Sequence, residues 1–142
     1  MDPGVMVAGL LAPGESASVL RLWLDGAFEL VVCPRWLSEV DGTLSQPSLR
    51  SRITIDEAVD LLDLLRSDAR VHDDPVASPI LGNRRRGAEY LVFLAAAARA
   101  ALVSADAHLL ELRRHVPVHT PGEFVQLLEA LDGSPGQSSA TR

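Results

Sequence analysis

Lysine is absent from these 142 residues; all 13 basic side chains are arginine. The chain therefore has no phosphate-loop lysine, no Schiff-base lysine and no lysine to complete a phospho-acceptor receiver site. Cysteine occurs once, at Cys33, so no disulfide can close within the chain. Its place in the apolar stretch FELVVC predicts a buried, unreactive thiol, which suits a reducing cytoplasm. Positive charge is also in deficit, with a net charge of −6. That excludes a broad, sequence-blind nucleic-acid binder, which needs a basic face, but not an enzyme that grips RNA through a local arginine patch. No charge-free apolar run has the length a bilayer requires. The Met1 end lacks the basic stretch and apolar run of a secretory signal. Zinc spacing, a glycine-rich phosphate loop and a nucleophile elbow are missing too. His72, His108, His115 and His119 do not share ligand spacing on any one element.

What is there is enough apolar material, 47% of residues, to fill one core. Val5 to Leu11 is a short apolar segment closed by the turn Pro13-Gly14. Ser16 to Asp25 reads as an amphipathic helix with Val19, Leu20, Trp23 and Leu24 on one side. Phe28 to Cys33 reads as a buried strand. Pro34 then opens a helix where its missing N–H does no harm; Trp36, Leu37 and Val40 lie at core spacing. Thr54 and Glu57 form a capping box for a helix that should bury Ile55, Ala58, Val59, Leu62 and Leu65. A short strand is expected over Ala69–His72, a loop over Asp73–Asn83 and an alanine-rich central helix over Gly87–Ala100. Ala101–Val103 should be a strand, Leu109–Arg113 a short helix and Val116–His119 a strand. A second capping box, Thr120-Pro121-Gly122-Glu123, starts a last helix running to about Leu131. Residues 132–142 read as a polar, disordered tail. Strands alternating with helices imply an α/β fold, a parallel sheet with helices on both faces, and in such sheets ligands bind at the carboxyl ends of the strands.

The acids at those ends carry a resemblance. DPGVMVAGLL, from Asp2 to Leu11, resembles the segment after the first strand of PIN domains, where an Asp is followed by an apolar helix. CPRWLSEV, from Cys33 to Val40, is similar to the segment after the family's second strand. LVSADAHLLEL, from Leu102 to Leu112, is similar to its fourth-strand segment, with Ser104 and Asp106 two residues apart. VPVHTPGEFVQLLEAL resembles its closing strand and capped helix. The resemblance covers Asp2 to Leu131. It implies a three-layer α/β/α PIN-like domain over residues 1–131, with a parallel sheet of about four to five strands. It also implies a metal-dependent endoribonuclease, the toxin component of a type II toxin–antitoxin pair similar to the VapC toxins. Asp2, Glu39 and Asp106 would be the catalytic and metal-binding acids, with Ser104 in support. The cofactor would be Mg²⁺ or Mn²⁺, hard cations that prefer carboxylate oxygens and activate water. The partners would be RNA, a cognate antitoxin and a second copy of the chain, with no membrane. Each acid also has a plainer role open to it. Asp2 would be a frayed terminus, Glu39 a solvated helix face and Asp106 a helix N-cap.

Three departures from the family pattern point to a catalytically impaired alternative, a PIN-like protein acting only through antitoxin, RNA or self-association. The family has a core strand before its first Asp, where here only Met1 precedes Asp2; an upstream natural start is the expectation. Gly4 stands where the family has an Asn. The third acid falls at Gly87, beside Arg84-Arg85-Arg86, with Glu89 as the nearest replacement. Those arginines read as a solvated run or, with Arg50 and Arg52, as a phosphate-contacting patch.

Overall fold

The structure is a computed structural model that describes residues 1–76 and 87–133. Its elements follow the expected alternation. Helix α1 spans Pro3–Leu11, α2 Glu15–Leu24, strand β1 Val31–Val32, α3 Pro34–Leu44, a 3₁₀ turn Pro47–Leu49 and α4 Ile55–Asp68. Then come β2 Arg70–Val71, α5 Tyr90–Ala98, β3 Leu102–Val103, α6 Ala107–Leu110, β4 Val118–His119 and α7 Pro121–Asp132. The sheet differs from expectation. Among the described residues its four strands form two separate parallel pairs, β1 with β2 and β3 with β4.

Local chemistry sets most boundaries. Both capping boxes form. Thr54 Oγ1 accepts from Glu57 N–H at 3.1 Å while Glu57 Oε2 accepts from Thr54 N–H at 2.9 Å, and Thr120 with Glu123 does the same. Proline stands in the first turn of α1, α3 and α7, where no intrahelical donor is lost. Helix α5 ends on Arg99 in the left-handed conformation, φ 53° and ψ 45°. Ala100 N–H reaches back to Ala95 O at 2.9 Å. This is a Schellman-type stop with an arginine where glycine is usual.

One large core joins helices and strands, with Met6, Trp36, Leu65, Leu102 and Leu109 fully or almost fully buried. A smaller cluster groups Val5, Val19, Val103 and Phe124, and Phe28 meets Phe124 edge-on at 5.0 Å. Cys33 is fully buried and unpaired, as expected, and burial pushes its thiol pKa up. Helices α1 and α2 cross closely because Gly9 has no Cβ; one built there would lie 2.8 Å from Ser16 O.

Three apolar residues expected inside are not. Ile55 is 60% exposed, Val59 49% and Leu24 59%. Only the second half of α4, through Leu62 and Leu65, reaches full burial. Leu24 is the last residue of α2 and overhangs the body. The alanine-rich helix is central as expected, but it starts at Tyr90; Gly87–Glu89 is a turn. The Arg84–Arg86 run, and residues 134–142 of the expected tail, lie outside the described residues. Among the described residues no single helix is long and apolar enough to cross a membrane.

The Met1 amine is buried, and the loss of water around it lowers its pKa from 8.0 to about 6. The folded chain therefore sheds this proton at a lower pH than the unfolded chain does. The resulting destabilisation is complete below about pH 6 and is relieved as pH rises from 6 to 8, by on the order of 2 kcal/mol. Acetylating the amine should flatten that part of a stability–pH profile measured by urea unfolding. Separately, Arg99→Gly should raise stability by about 1 kcal/mol, read as a higher melting temperature, because only glycine adopts this conformation without steric cost.

Candidate active site

Asp2 ends the segment that enters α1. Its backbone N–H donates to Val103 O at 2.8 Å, fastening the N-terminal segment to the end of β3. One carboxylate oxygen, Oδ1, accepts Gly4 N–H at 3.0 Å and so caps α1. The other, Oδ2, accepts the Ser104 hydroxyl at 2.8 Å. Asp2 is thus not a frayed terminus.

Ser104 follows β3 and is the one fully buried polar side chain among the described residues. Its Oγ also accepts Asp106 N–H at 3.0 Å. Asp106 in turn caps α6, Oδ1 accepting His108 N–H at 2.9 Å. The result is a continuous relay from Asp106 N–H through Ser104 Oγ–H to Asp2 Oδ2. Asp2 is thus brought to Ser104 and Asp106, from the other end of the described chain, at the carboxyl end of β3. Asp106 fills the capping role open to it, and capping leaves its Oδ2 without a protein donor among the described residues.

Glu39 is held by other groups. Its Oε2 accepts the Tyr90 hydroxyl at 2.8 Å, and its Oε1 lies 3.5 Å from Arg35 Nε, one helical turn back. The Arg35 guanidinium also stacks on the Tyr90 ring, 4.2 Å from its centroid. It donates to Gly87 O at 2.9 Å as well. Burial, with the Glu39 carboxylate next in effect, pushes the Tyr90 pKa far above its ordinary value. Tyr90 therefore stays a proton donor, and the clamp on Glu39 persists at any physiological pH. Sequence reasoning missed Arg35 and Tyr90. The i,i+4 spacing of Arg35 and Glu39 was a readable signal; Tyr90, 51 residues from Glu39, gave none.

The remaining positions are simply placed. Glu89 sits just before α5 without a side-chain capping bond. Gly87 is exposed, and a Cβ there would meet only Arg35 Nη2, at 3.9 Å. A Cβ at Gly4 would lie 3.5 Å from Asp2 Oδ1, an ordinary contact. Side chains at both glycines are therefore sterically tolerable. Arg52 donates to Leu11 O at the end of α1; the Arg84–Arg86 run with which it and Arg50 were read lies outside the described residues.

Among the described residues no group of three or more His, Cys, Asp or Glu side chains is close enough to hold a metal. The structure thus brings Asp2, Ser104 and Asp106 together and leaves Glu39 engaged by Tyr90 and Arg35. Asp2 and Asp106, both bonded to Ser104, each carry a carboxylate, and Mg²⁺ is commonly held by one or two carboxylates with water and substrate phosphate in its remaining positions.

A family model described as PIN domain matches residues 1–112. No curated protein and no solved structure matches.

Replacing Ser104 by Ala should lower stability by about 1–2 kcal/mol, because it strands the Asp106 N–H and removes a donor from the Asp2 carboxylate. Chemical denaturation checks this, and a loss below about 0.3 kcal/mol would mean the relay holds nothing together.

Proposed function

The chain belongs to the PIN-domain family, and we propose that it is a ribonuclease dependent on Mg²⁺ or Mn²⁺, the toxin of a type II toxin–antitoxin pair. Family membership gives the coarse level, a nuclease fold whose members typically use divalent metal ions. The observation that supports the finer reading is the relay Asp2–Ser104–Asp106. It holds the Asp2 carboxylate and the Asp106 backbone at the carboxyl end of β3, where α/β folds place their chemistry.

In this reading Asp2 and Asp106 hold the metal. Bound there, it would supply charge neutralisation at the scissile phosphate and acidify an attacking water. Ser104 keeps Asp2 in place and, through the Asp106 N–H, sets the start of α6. Glu39, engaged by Arg35 and Tyr90, would orient water or a metal-bound ligand rather than serve as a direct metal ligand. The Arg35 guanidinium is half-exposed and offers charge to an RNA phosphate. An antitoxin that covers the acidic groove, a second copy of the chain and a cytoplasmic setting complete the proposal.

A second reading is favoured by one observation, that Glu39 is tied to Tyr90 and Arg35, and it fits the reading of Gly87 at the family's third acid. It is a PIN-domain protein with impaired chemistry that acts through binding alone.

RNA cleavage by the purified chain, with Mg²⁺ or Mn²⁺ against EDTA, separates the two. The nuclease reading expects metal-dependent cleavage that Asp106→Asn lowers at least about 100-fold, the order of effect when a charged catalytic group is lost. Asparagine preserves the α6 cap, so the loss would be chemical and not structural. No cleavage by the folded chain, together with gain of cleavage in Gly87→Asp, would support the impaired reading. No cleavage by either would sink the nuclease altogether.

A further inference from the structure

Arg35 stands where the local chemistry of helix α3 does not favour it. It is the second residue of the helix, and a cation near a helix N-terminus opposes the dipole. Its pairing with Glu39 runs from cation to anion along the chain, the less favourable order for residues one turn apart. What holds the guanidinium is tertiary. It lies 4.2 Å from the centroid of the Tyr90 ring, and its Nη2 donates to Gly87 O at 2.9 Å. Tyr90 is buried while Gly87 is exposed. The fork is therefore fixed in orientation at the edge of the body, and the Arg35 side chain remains 48% exposed.

Glu39, the one ion-pair partner of Arg35 among the described residues, occupies this fork poorly. Its Oε2 takes the Tyr90 hydroxyl at 2.8 Å. That leaves Oε1 alone for Arg35, at 3.5 Å from Nε, where a charge-assisted N–H···O bond closes to about 2.8 Å. A carboxylate already turned to a hydroxyl cannot grip the guanidinium with both oxygens. A phosphodiester can, because its two free oxygens match two parallel N–H groups of the fork. Half-exposed ion pairs contribute little to stability, so a phosphate has little to displace. In a chain of net charge −6, RNA must be held by such local contacts.

We propose that Arg35 is an RNA-phosphate hook covered by the chain's own Glu39, and that a backbone phosphate of RNA binds it by displacing that carboxylate. With RNA as the ligand, the proposal rests on the nuclease reading. The Gly87 and Tyr90 contacts keep the fork aimed while its partner changes. Glu39 is not cast loose, because the Tyr90 hydroxyl, whose pKa burial raises far above its ordinary value, still donates to Oε2. Only Oε1 is freed. It is freed on a helix fastened to the segment that carries Asp2, since Trp36, next to Arg35, donates its indole N–H to Met1 O at 2.6 Å. The arrival of RNA and the release of the Glu39 oxygen are then one event. In the free chain the same contact keeps both groups idle.

The test is binding without cleavage. A fluorescein-labelled single-stranded RNA of about 12 nucleotides, in EDTA and low salt, is titrated with the full chain, with Arg35→Gln, with Glu39→Gln and with the double variant, and affinity is read by anisotropy. Arg35→Gln should weaken binding at least about fivefold and reduce the slope of log affinity against log salt by about one. Glu39→Gln should tighten binding at least about fivefold where Arg35 is present and less than about twofold where it is absent. Equal tightening in both backgrounds would mean that the carboxylate merely repels RNA, and would overturn the proposal. In the unaltered chain, where no substitution disturbs folding, the Arg35 Hε resonance should move on saturation with this RNA; a resonance that stays in place would overturn it too. Cleavage in Mg²⁺ without the coupling would sink the hook and leave the nuclease standing. Coupling without cleavage would keep the hook and remove the nuclease. No RNA binding by any of the four chains would overturn both.

Discussion

Asp2 makes four connections within one residue, and the architecture depends on them. Its N–H ties the N-terminal segment to β3, its carbonyl accepts the first helical bonds of α1, and its two carboxylate oxygens take Gly4 N–H and the Ser104 hydroxyl. The Met1 carbonyl beside it accepts the Trp36 indole N–H at 2.6 Å. Trp36 is fully buried, so this bond satisfies the one polar atom of its ring and draws α3 onto the same segment. Two residues thus connect β3, α1, α3 and the loop before α6. A charge-assisted hydrogen bond to a carboxylate contributes about 1.5–3 kcal/mol, a large share of the stability of a domain this size.

The same economy governs the candidate site. A carboxylate recruited to cap a helix keeps a fixed orientation and a free oxygen, which a catalytic acid also needs. Asp106 has this form: Oδ1 on the α6 cap, Oδ2 without a donor among the described residues. Glu39 is the contrary case, because both of its oxygens are engaged by a neutral donor and a cation. Arg35 lies at the centre of that arrangement. It touches Glu39, the Tyr90 ring and Gly87 O, so an acid introduced at position 87 would compete with Glu39 for the same guanidinium. With no carboxylate at 87, Arg35 pairs with Glu39.

Much of this was legible in the sequence where the signal was local. Thr54 with Glu57 and Thr120 with Glu123 form the boxes that their spacing announced. Pro34 opens its helix, Cys33 is buried, and the order of acids and strands located the PIN resemblance that the family match supports. What failed depended on shape at longer range. The apolar periodicity of α4 identified its inward face, but not that Ile55 and Val59 project past the body. Gly87 looked like the start of a helix by composition, yet it lies in a turn, its carbonyl bound by Arg35. The Ser104 relay was half visible, since the spacing of Ser104 and Asp106 suggested a pair. That Ser104 would reach Asp2, 102 residues away, could come only from the fold.

The divided sheet and the divided site meet at the Met1–Asp2 segment. Asp2 is positioned from its carboxyl side by α1, laterally by β3 and Ser104, and from its amino side by Met1, whose carbonyl accepts the Trp36 indole N–H. The two bonds that Asp2 makes to β3 and Ser104 order its carboxylate before any ligand arrives. A site whose groups are ordered beforehand binds more tightly, since the ordering entropy is then already spent. The backbone bond to β3 and the hydroxyl bond to Ser104 therefore act on one side chain from two sides.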